Sequence, residues 1–530
     1  MSTRRIAAPR VVVLVLGLAL ALSVVQLGAQ KGAPKLDPIV YTITFPNPAT
    51  KTFRVEMNVP TENRASVDLM MPAWSPGYTG PQEFARHVSA FRAMTPSGTN
   101  LDVTQPAPNR WKVSSGGRPS IMIFYTLAAP RGSNLSSGVT ATSAVIMGPS
   151  TYLTIVEEAR RPAEVRLELP PTWKGSISGL TGSLDTHPNH YAAPDYDTLA
   201  DSPILAGVDL DTTEFKVGSI AHHWAWLGKA EWESAKVAAT LPSLLLEHSR
   251  FWGSLPFKKY AFLNIVTSGA PVTAIEHGTS LAINSNGKEP ADPTARFKHA
   301  VFLSQKYFRA VNGKRLRPVE LGPFDYEKPP STTGLWVAEG LTSYYGDLLA
   351  TRAGLGSQDD FLALYSKHIA DLQTKQPGRL VQTLEEASAK TFENVPANQR
   401  LDLAVKGAVV GLVLEAHIRT GSKGKKSLDD VMRTAYKRWS GVRGYSSEDF
   451  AQTAMDAAGF DLKTMLHTLT ATTEELDYTE MLDWFGLRFA EVDAATKAAD
   501  PAKAWVLEVR ADATLEQQKN LTAFLAKSKG

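Results

Sequence analysis

The sequence predicts an α+β protein of several domains, in which a β-rich N-terminal region precedes a mainly α-helical region. Residues 36 to 215 consist of short alternating or apolar runs separated by Pro, Gly, Asn and Asp clusters, a pattern typical of strands and turns. From about Leu241 onward, apolar residues recur at helical spacing over long segments. A length of 530 residues suits roughly two to four domains.

The strands of the N-terminal region are predicted from runs that alternate apolar and polar residues or that are continuously apolar. Helical periodicity is weak throughout this region, so a β-sandwich or an open β-domain fits best. The candidate strands are Val40–Phe45, Phe53–Val59, Trp111–Val113, Ile121–Tyr125 and Val165–Leu169.

The first helix of the second region is predicted over Ala295–Asn312, where Phe297, Val301 and Phe308 lie on one apolar stripe. A loop rich in Pro and Gly follows and leads to a second helix over Gly334–Arg352. The remaining predicted elements are helices at Asp359–Leu372, Leu401–Ile418, Leu428–Trp439 and Ser447–Ala458, a strand at Trp505–Val509, and a helix at Leu515–Lys527 that begins with a Thr514/Gln517 capping box.

The N-terminus has the features of an export signal. Basic residues (Arg4, Arg5 and Arg10) precede the uncharged apolar stretch Val11–Val25, and small residues suited to signal peptidase follow at Leu27–Ala29. We therefore expect residues 1–29 to be a cleaved signal peptide and the protein to be periplasmic or extracellular. An uncleaved membrane anchor is the alternative, although the apolar run is short for a span.

Charge and cysteine content exclude some functions. Without residues 1–29 the chain has 53 basic and 53 acidic residues, so we expect no general attraction to nucleic acid or to anionic membrane. We also expect no membrane span in the mature chain unless the N-terminal segment stays attached. The chain has no cysteine, which excludes disulfide stabilisation and thiol chemistry.

Several segments, in the same order along the chain, resemble the glycyl aminopeptidase family of gluzincin-type zinc metallopeptidases. Long motifs in a fixed order are specific, and together they span nearly the whole mature chain. The matching segments are Pro72–Tyr78 with Phe84–Val88, Tyr196–Pro203, Ile275–His277, Asn312–Pro318 with Tyr326–Pro329, Lys406–Ala408 and Ser427–Val431.

The resemblance implies a domain order. It places an N-terminal β-domain at residues 30–215 and a thermolysin-like peptidase domain, with a zinc site between two helices, at residues 216–486. Family members often add a PDZ module, but residues 487–530 are too few for a complete one. We expect a strand and a helix there instead.

The departures from the family pattern fall on the zinc site. Where the family has H-E-x-x-H, this chain has Gln305, Lys306 and Arg309, and no H-x-x-x-H spacing occurs anywhere. Gln is a poor zinc ligand, and Arg does not deprotonate to become one. Glu339 keeps the position of the family's third ligand. A transition-state tyrosine expected shortly before Lys406 is replaced by Leu403 or Ala404.

The replacements suggest an ion pair in place of the metal. Without zinc, Glu339 would be a buried carboxylate with no counter-charge. Arg309 stands at a former ligand position, and we expect it to pair with Glu339. No cofactor is then needed; zinc belongs only to the alternative in which the site remains active.

Glu276 and His277 are the candidate substrate-binding residues. In the family, the equivalent segment borders the substrate cleft and holds the amino terminus of the peptide. An inherited edge strand without a present role explains the same residues equally well, and the sequence leaves both explanations open.

The sequence thus predicts an exported, catalytically inactive relative of the glycyl aminopeptidases that retains a cleft for a peptide or a partner protein. One alternative is an active aminopeptidase with an unusual zinc site around Glu339. Another is a structural or scaffold protein whose cleft is closed by Arg309 and Glu339.

Overall fold

The N-terminal region is built from three sheets. The computed structural model describes residues 36–78, 80–130 and 132–528. Strands β1–β15 are Ile39–Thr44, Thr52–Pro60, Ser66–Met70, Val88–Met94, Val103–Ala107, Arg110–Ser114, Ser120–Ala128, Gly138–Val139, Ser143–Ile146, Thr154–Ile155, Ala163–Glu168, Gly175–Ser178, Thr181–Gly182, His190–Ala193 and Ile204–Gly207.

Strand β2 shows why this region folds as β-structure. Phe53, Val55, Met57 and Val59 are buried, while the residues between them are exposed, so one face of the strand packs on the core. The largest sheet has the order β13-β14-β11-β1-β2-β7-β4, and two four-stranded sheets have the orders β10-β3-β6-β5 and β12-β15-β9-β8. The prediction of a β-rich N-terminal domain is confirmed.

The second region starts with a five-stranded sheet of order β16-β17-β18-β20-β19. Its core strands are parallel and buried, whereas β19 lies antiparallel at the edge. Most strands of this sheet were not predicted from the sequence. Strands that are buried on both faces do not alternate apolar and polar residues, so they lack the pattern that identifies a half-buried strand. The strands are β16 Leu210–Val217, β17 Ile220–Leu227, β18 Lys259–Val266, β19 Thr273–Glu276 and β20 Ser280–Ser285.

Helices make up most of the remaining chain. The predicted helices at Leu428–Trp439 and Ser447–Ala458 are confirmed with the same bounds. Helices α1–α13 are Tyr196–Ala200, Ser234–Trp252, Pro293–Arg309, Leu335–Arg352, Gln358–Lys375, Leu384–Ala389, Leu403–Ser422, Leu428–Trp439, Ser447–Ala458, Lys463–Ala471, Thr479–Phe485, Ala494–Ala499 and Leu515–Leu525.

The last segment contains a two-stranded sheet and the helix α13. Strand β21 (Leu487–Phe489) pairs with β22 (Leu507–Val509). The predicted strand began at Trp505, but that residue ends a 3₁₀ turn, because Pro501 starts a turn capped by Asp500. Helix α13 begins with the predicted Thr514/Gln517 capping box.

The β-rich and helical regions share one compact unit, residues 38–530. A buried apolar cluster joins them: Val145 and Leu205 come from the first region, and Leu227 and Leu263 come from the five-stranded sheet. The domain boundary predicted at residue 215 falls inside β16.

Residues 1–29, predicted to be a signal peptide, lie outside the described residues. Within the described ranges, no helix is both long enough and apolar enough to cross a membrane.

Candidate functional site

Helix α3 presents the three residues that replace the family's zinc-binding motif. Asp292 caps the helix by accepting a hydrogen bond from the backbone N–H of Ala295 (2.8 Å), and a proline occupies the first turn. The apolar face of α3 packs into the core. Gln305, Lys306 and Arg309 lie on the other side and are partly exposed.

Helix α4 presents Glu339 toward α3. Every residue of α4 except Glu339 is buried, and the side chain of Glu339 is 29% exposed. The helix crosses α7 at two glycines: a Cβ on Gly340 would lie 2.5 Å from the Cα of Gly407. These glycines allow the two backbones to approach closely. Leu403, at the position considered for the missing tyrosine, is buried at the start of α7.

Asn312 fixes the spacing between the two helices. This fully buried residue follows α3, and its Nδ2 donates to the carbonyl of Val337 (2.9 Å) and to the Oγ1 of Thr342 (3.1 Å). Both acceptors belong to α4. The register of α3 against α4 is therefore set by buried hydrogen bonds that need no metal.

Arg309 joins two carboxylates from different elements. Its Nη1 forms an ion pair with the Oε2 of Glu339, and its Nε forms one with the Oε1 of Glu276, the last residue of β19. Lys306 Nζ lies 3.2 Å from the other oxygen of Glu276. We call Glu276, Lys306, Arg309 and Glu339 the charged cluster.

The protonation of the charged cluster follows from these contacts. Burial alone raises the pKa of a carboxyl, but the positive charges of Arg309, Lys306 and Lys314 outweigh burial and lower the pKa of Glu276 to about 2. Burial acts to lower the pKa of Arg309, whereas Glu339 and Glu276 raise it above its usual value. Glu276 is thus a carboxylate, and Arg309 a guanidinium, at any physiological pH.

Gln305 belongs to a separate hydrogen-bond chain that runs away from the charged cluster. Its Nε2 donates to the Oδ1 of Asp347 (2.9 Å), a fully buried residue of α4. The other oxygen of Asp347 lies 2.7 Å from the Nε2 of His368. Burial acts to lower the pKa of His368, but the charge of Asp347 raises it overall.

His277, the other predicted substrate-binding residue, contacts Asp201 rather than the charged cluster. The two oxygens of Asp201 accept from His277 Nδ1 (3.0 Å), from the Nζ of Lys314 (2.8 Å) and from the backbone N–H of Gly278 (2.7 Å). Burial acts to raise the pKa of Asp201, but the charges of Lys314 and His277 lower it well below its usual range.

The loop between α3 and α4 connects to the same region through Tyr326. Its hydroxyl donates to the Oδ1 of Asp197 (2.6 Å), and its carbonyl accepts from the backbone N–H groups of Ala73 and Trp74. We call Asp197, Asp201, His277, Lys314 and Tyr326 the domain joint. It ties the β-rich region to the strand and loops around the charged cluster.

The structure therefore separates residues that the sequence analysis grouped. It brings Arg309 together with Glu339, as expected, and adds Glu276 and Lys306 to the same cluster. The sequence did not point to Asp347 or His368. The spacing of Glu339, Ser343 and Asp347 at intervals of four on α4, opposite Gln305 and Arg309, is the signal that could have located Asp347.

The residues at the family's metal position do not fit zinc. Gln305 gives its amide N–H to Asp347, and Arg309 offers only N–H donors. Glu339 remains as one carboxylate, already paired. Across the residues that the structure describes, no group of three or more His, Cys, Asp or Glu side chains is placed to hold a metal ion.

A groove of about 800 Å³ lies in the β-rich region beside β19. Tyr78, Phe84 and Leu135 supply part of its apolar lining, and Arg86 and His87 are among its polar residues. Gly77 lines the groove and also packs on β19, since a Cβ there would lie 3.1 Å from the Cγ2 of Ile275. One residue of the groove wall, Gly77, therefore contacts the strand that ends at Glu276.

Two family models match the chain and together cover more than half of it. The M61 peptidase N-terminal domain matches residues 40–208, and the M61 glycyl aminopeptidase matches residues 299–410. No protein among those with curated functions matches the sequence.

Solved structures share the fold. An aminopeptidase N family protein from Idiomarina loihiensis is 24% identical, with a TM-score of 0.77 over 85% of this chain and 78% of that one. An M1 zinc metallopeptidase from Deinococcus radiodurans is 14% identical, with a TM-score of 0.52 over 84% of this chain and 95% of that one. A mutant of the Deinococcus enzyme was also solved with a Tyr-Ser-Ala substrate bound.

The family models match both regions of the fold, and the domain joint is built from segments that resemble the family. The second match covers most of α3 and all of α4, the helix pair that carries the charged cluster's Lys306, Arg309 and Glu339. The chain belongs to the M61 family of glycyl aminopeptidases.

Proposed function

We propose that this protein binds a peptide or a partner protein in the family's cleft and does not hydrolyse peptides by the family's zinc-dependent route. The observation that carries the proposal is the guanidinium of Arg309, which lies between Glu276 and Glu339. A permanent cation of the chain itself stands where the family uses a metal ion.

The chemistry of the other replacements supports the same conclusion. The family's general base is a carboxylate that activates a water molecule, and Lys306 at that position is an ammonium paired with Glu276. An ammonium with this partner is a poor proton acceptor. Loss of the base and loss of the ligands remove two separate requirements of the reaction.

Two features of the surface support a retained binding cleft. Strand β19 is at the edge of its sheet, where an extended peptide can add as a further strand. The 800 Å³ groove beside it offers apolar pockets for side chains. The Deinococcus relative solved with Tyr-Ser-Ala gives a precedent for peptide binding to this fold.

Export to the periplasm or the extracellular space is part of the proposal. It rests on the basic and apolar segments of residues 1–29. The N-terminal sequence of the protein from the producing cells should begin close to residue 30. A mature N-terminus at the initiator methionine would contradict export by this signal.

The test of the proposal is metal content together with aminopeptidase activity. The purified mature protein, dialysed against buffer that contains trace zinc, should hold no stoichiometric zinc. It should also release no amino acids from peptide substrates. A triple variant with Gln305→His, Lys306→Glu and Arg309→His recreates the family's motif and should bind a single zinc. The same triple variant with Glu339→Gln is the matched control and should bind zinc more weakly, because it lacks the third ligand.

Tightly held zinc with chelator-sensitive activity in the wild type would overturn the proposal in favour of an active enzyme with a site around Glu339. A scaffold with a closed cleft is the second candidate, favoured by the mutual neutralisation of Arg309 and Glu339. Failure to select any peptide or partner on the cleft would favour the scaffold.

A further inference from the structure

The charged cluster has more hydrogen-bond donors than acceptors. A guanidinium carries five N–H groups and an ammonium three. Arg309 uses its Nε on Glu276 and its Nη1 on Glu339. Among the described residues, Lys306 has one ion-pair partner, Glu276. Several N–H donors of both cations are therefore left for solvent or a ligand.

The acceptors, by contrast, are mostly used. Both oxygens of Glu276 are in contact with cations, and its side chain is only 10% exposed. One oxygen of Glu339 is paired with Arg309. The side chains of Lys306 and Arg309 are 29% and 21% exposed, so both cations are accessible where Glu276 is not.

This arrangement favours an anion over an amine. A peptide ammonium group would have to displace Lys306 or Arg309 to reach Glu276. A carboxylate would instead meet unused N–H donors of two permanent cations at a partly enclosed site, where charge-assisted hydrogen bonds are strong. Repulsion from Glu339 is reduced because Arg309 already neutralises that side chain.

We infer that the charged cluster binds a carboxylate group of a peptide, and not the free amino terminus that the family's cleft receives. The inference rests on the proposed function, namely that the cleft accepts a peptide or a partner protein. The carboxylate could be a peptide's C-terminus or an Asp or Glu side chain, and the experiment distinguishes the two sources.

The experiment uses pools of randomised tetrapeptides, incubated with the purified protein and identified by mass spectrometry after affinity selection. Four pools are N-acetylated: their C-terminus is either a free acid or an amide, and each kind is made once with Asp and Glu among the randomised residues and once without them. A further pool has a free amine and an amide end, without Asp or Glu. The protein should retain pools that carry a carboxylate and release the acetylated amide pool without Asp or Glu.

Variants assign the binding to the charged cluster. Lys306→Gln should reduce retention of carboxylate peptides about tenfold, through loss of a charge-assisted contact. Lys306→Arg should retain them, which also shows that the position tolerates substitution. Lys519→Gln changes an exposed lysine of α13 and should have no effect. Circular dichroism checks that each variant is folded.

Two results would overturn the inference: no retention of any carboxylate pool, or stronger retention of the free-amine pool than of the acid pools. Retention of the acid pool without Asp or Glu would identify the C-terminus as the source. Retention of the amide pool with Asp and Glu would identify a side chain. Zinc content and hydrolysis, measured separately, test whether the protein lacks the zinc-dependent activity. Preferential retention of the free-amine pool would overturn the inference while leaving peptide binding in the cleft supported, so the two can fail independently.

Discussion

The charged cluster and the domain joint lie close together, yet they differ in how they relate to the family. Asp201, Lys314 and Tyr326 of the joint stand in segments that resemble the family and make hydrogen bonds between distant parts of the chain. Arg309 and Lys306 of the cluster stand where we predict a departure from the family, and both form ion pairs with Glu276. The joint thus uses residues predicted to be shared with the family, whereas the cluster uses residues predicted to differ from it.

The packing of the helices around the charged cluster does not depend on the cluster itself. Asn312 positions α3 against α4, and the glycines Gly340 and Gly407 position α4 against α7. The partly buried carboxylates beside these helices still need a counter-charge. Arg309 supplies that charge for Glu276 and Glu339 together.

The largest effect is expected when the cation of the charged cluster is removed. Arg309→Met leaves Glu276, which is almost fully buried, with only Lys306 as a close partner, and leaves Glu339 unpaired. We expect the free energy of unfolding to fall by about 3 kcal/mol, because breaking a buried pair leaves an uncompensated charge. Urea denaturation of wild type and variant measures the change.

The matched control for this prediction is Arg438→Met. Arg438 pairs with Asp456 at 2.6 Å, but both side chains are about two-fifths exposed. We expect a loss below about 1 kcal/mol there. Equal losses for the two variants would show that the charged cluster is an ordinary surface ion pair.

The sequence predicted one half of the charged cluster but not the other. Arg309 and Glu339 lie on two helices that the sequence predicted, so their pairing was expected from the fold that the resemblance implied. The contact between Glu276 and Arg309 joins an edge strand to a helix, and no local pattern encodes it. Tertiary contacts of this kind depend on the sheet order, which the periodicity of β18 and β20 did not reveal.

The domain joint should respond differently at two of its aspartates, Asp197 in helix α1 and Asp201 directly after it. Asp201→Asn puts an amide N–H where Asp201 accepts from three donors, so one donor loses its partner. We expect a loss of about 2 kcal/mol. Burial raises the pKa of Asp197, so a neutral side chain is tolerated there, and an asparagine oxygen can still accept from Tyr326.

Asp197→Asn should therefore cost less than about 1 kcal/mol. Thermal unfolding of the two variants side by side measures the difference. A larger loss for Asp197→Asn than for Asp201→Asn would show that the joint depends on the tyrosine contact rather than on the Lys314 and His277 contacts.

Acid should weaken the charged cluster in a defined pH range. The pKa of Glu276 is lowered to about 2, so its stabilising charge is fully present above the ordinary glutamate pKa of about 4.3 and is lost as pH falls toward 2. Between about pH 6 and pH 3, this group should account for a loss of about 2 kcal/mol.

Glu276→Gln removes this titration and is the control, because Asp201 still titrates in the variant. The difference between the two pH profiles of unfolding free energy isolates Glu276. Parallel profiles would mean that Arg309 and Lys306 do not stabilise the charged form of Glu276.

A smaller effect of pH than at Glu276 is expected at His368, which lies beyond Gln305 and outside the charged cluster. Asp347 raises the pKa of His368, so the charged pair stabilises the fold below the ordinary histidine pKa of about 6.5, and this stabilisation is lost as pH rises through the folded-state pKa. His368→Gln should therefore cost about 1 kcal/mol more at about pH 5 than at about pH 9. Urea denaturation at both pH values measures this difference, and a reversed sign would place a neutral His368 beside Asp347. Gln305 donates to the same aspartate. The experiment therefore also shows whether the Asp347 that holds Gln305 is paired with a charged or a neutral His368.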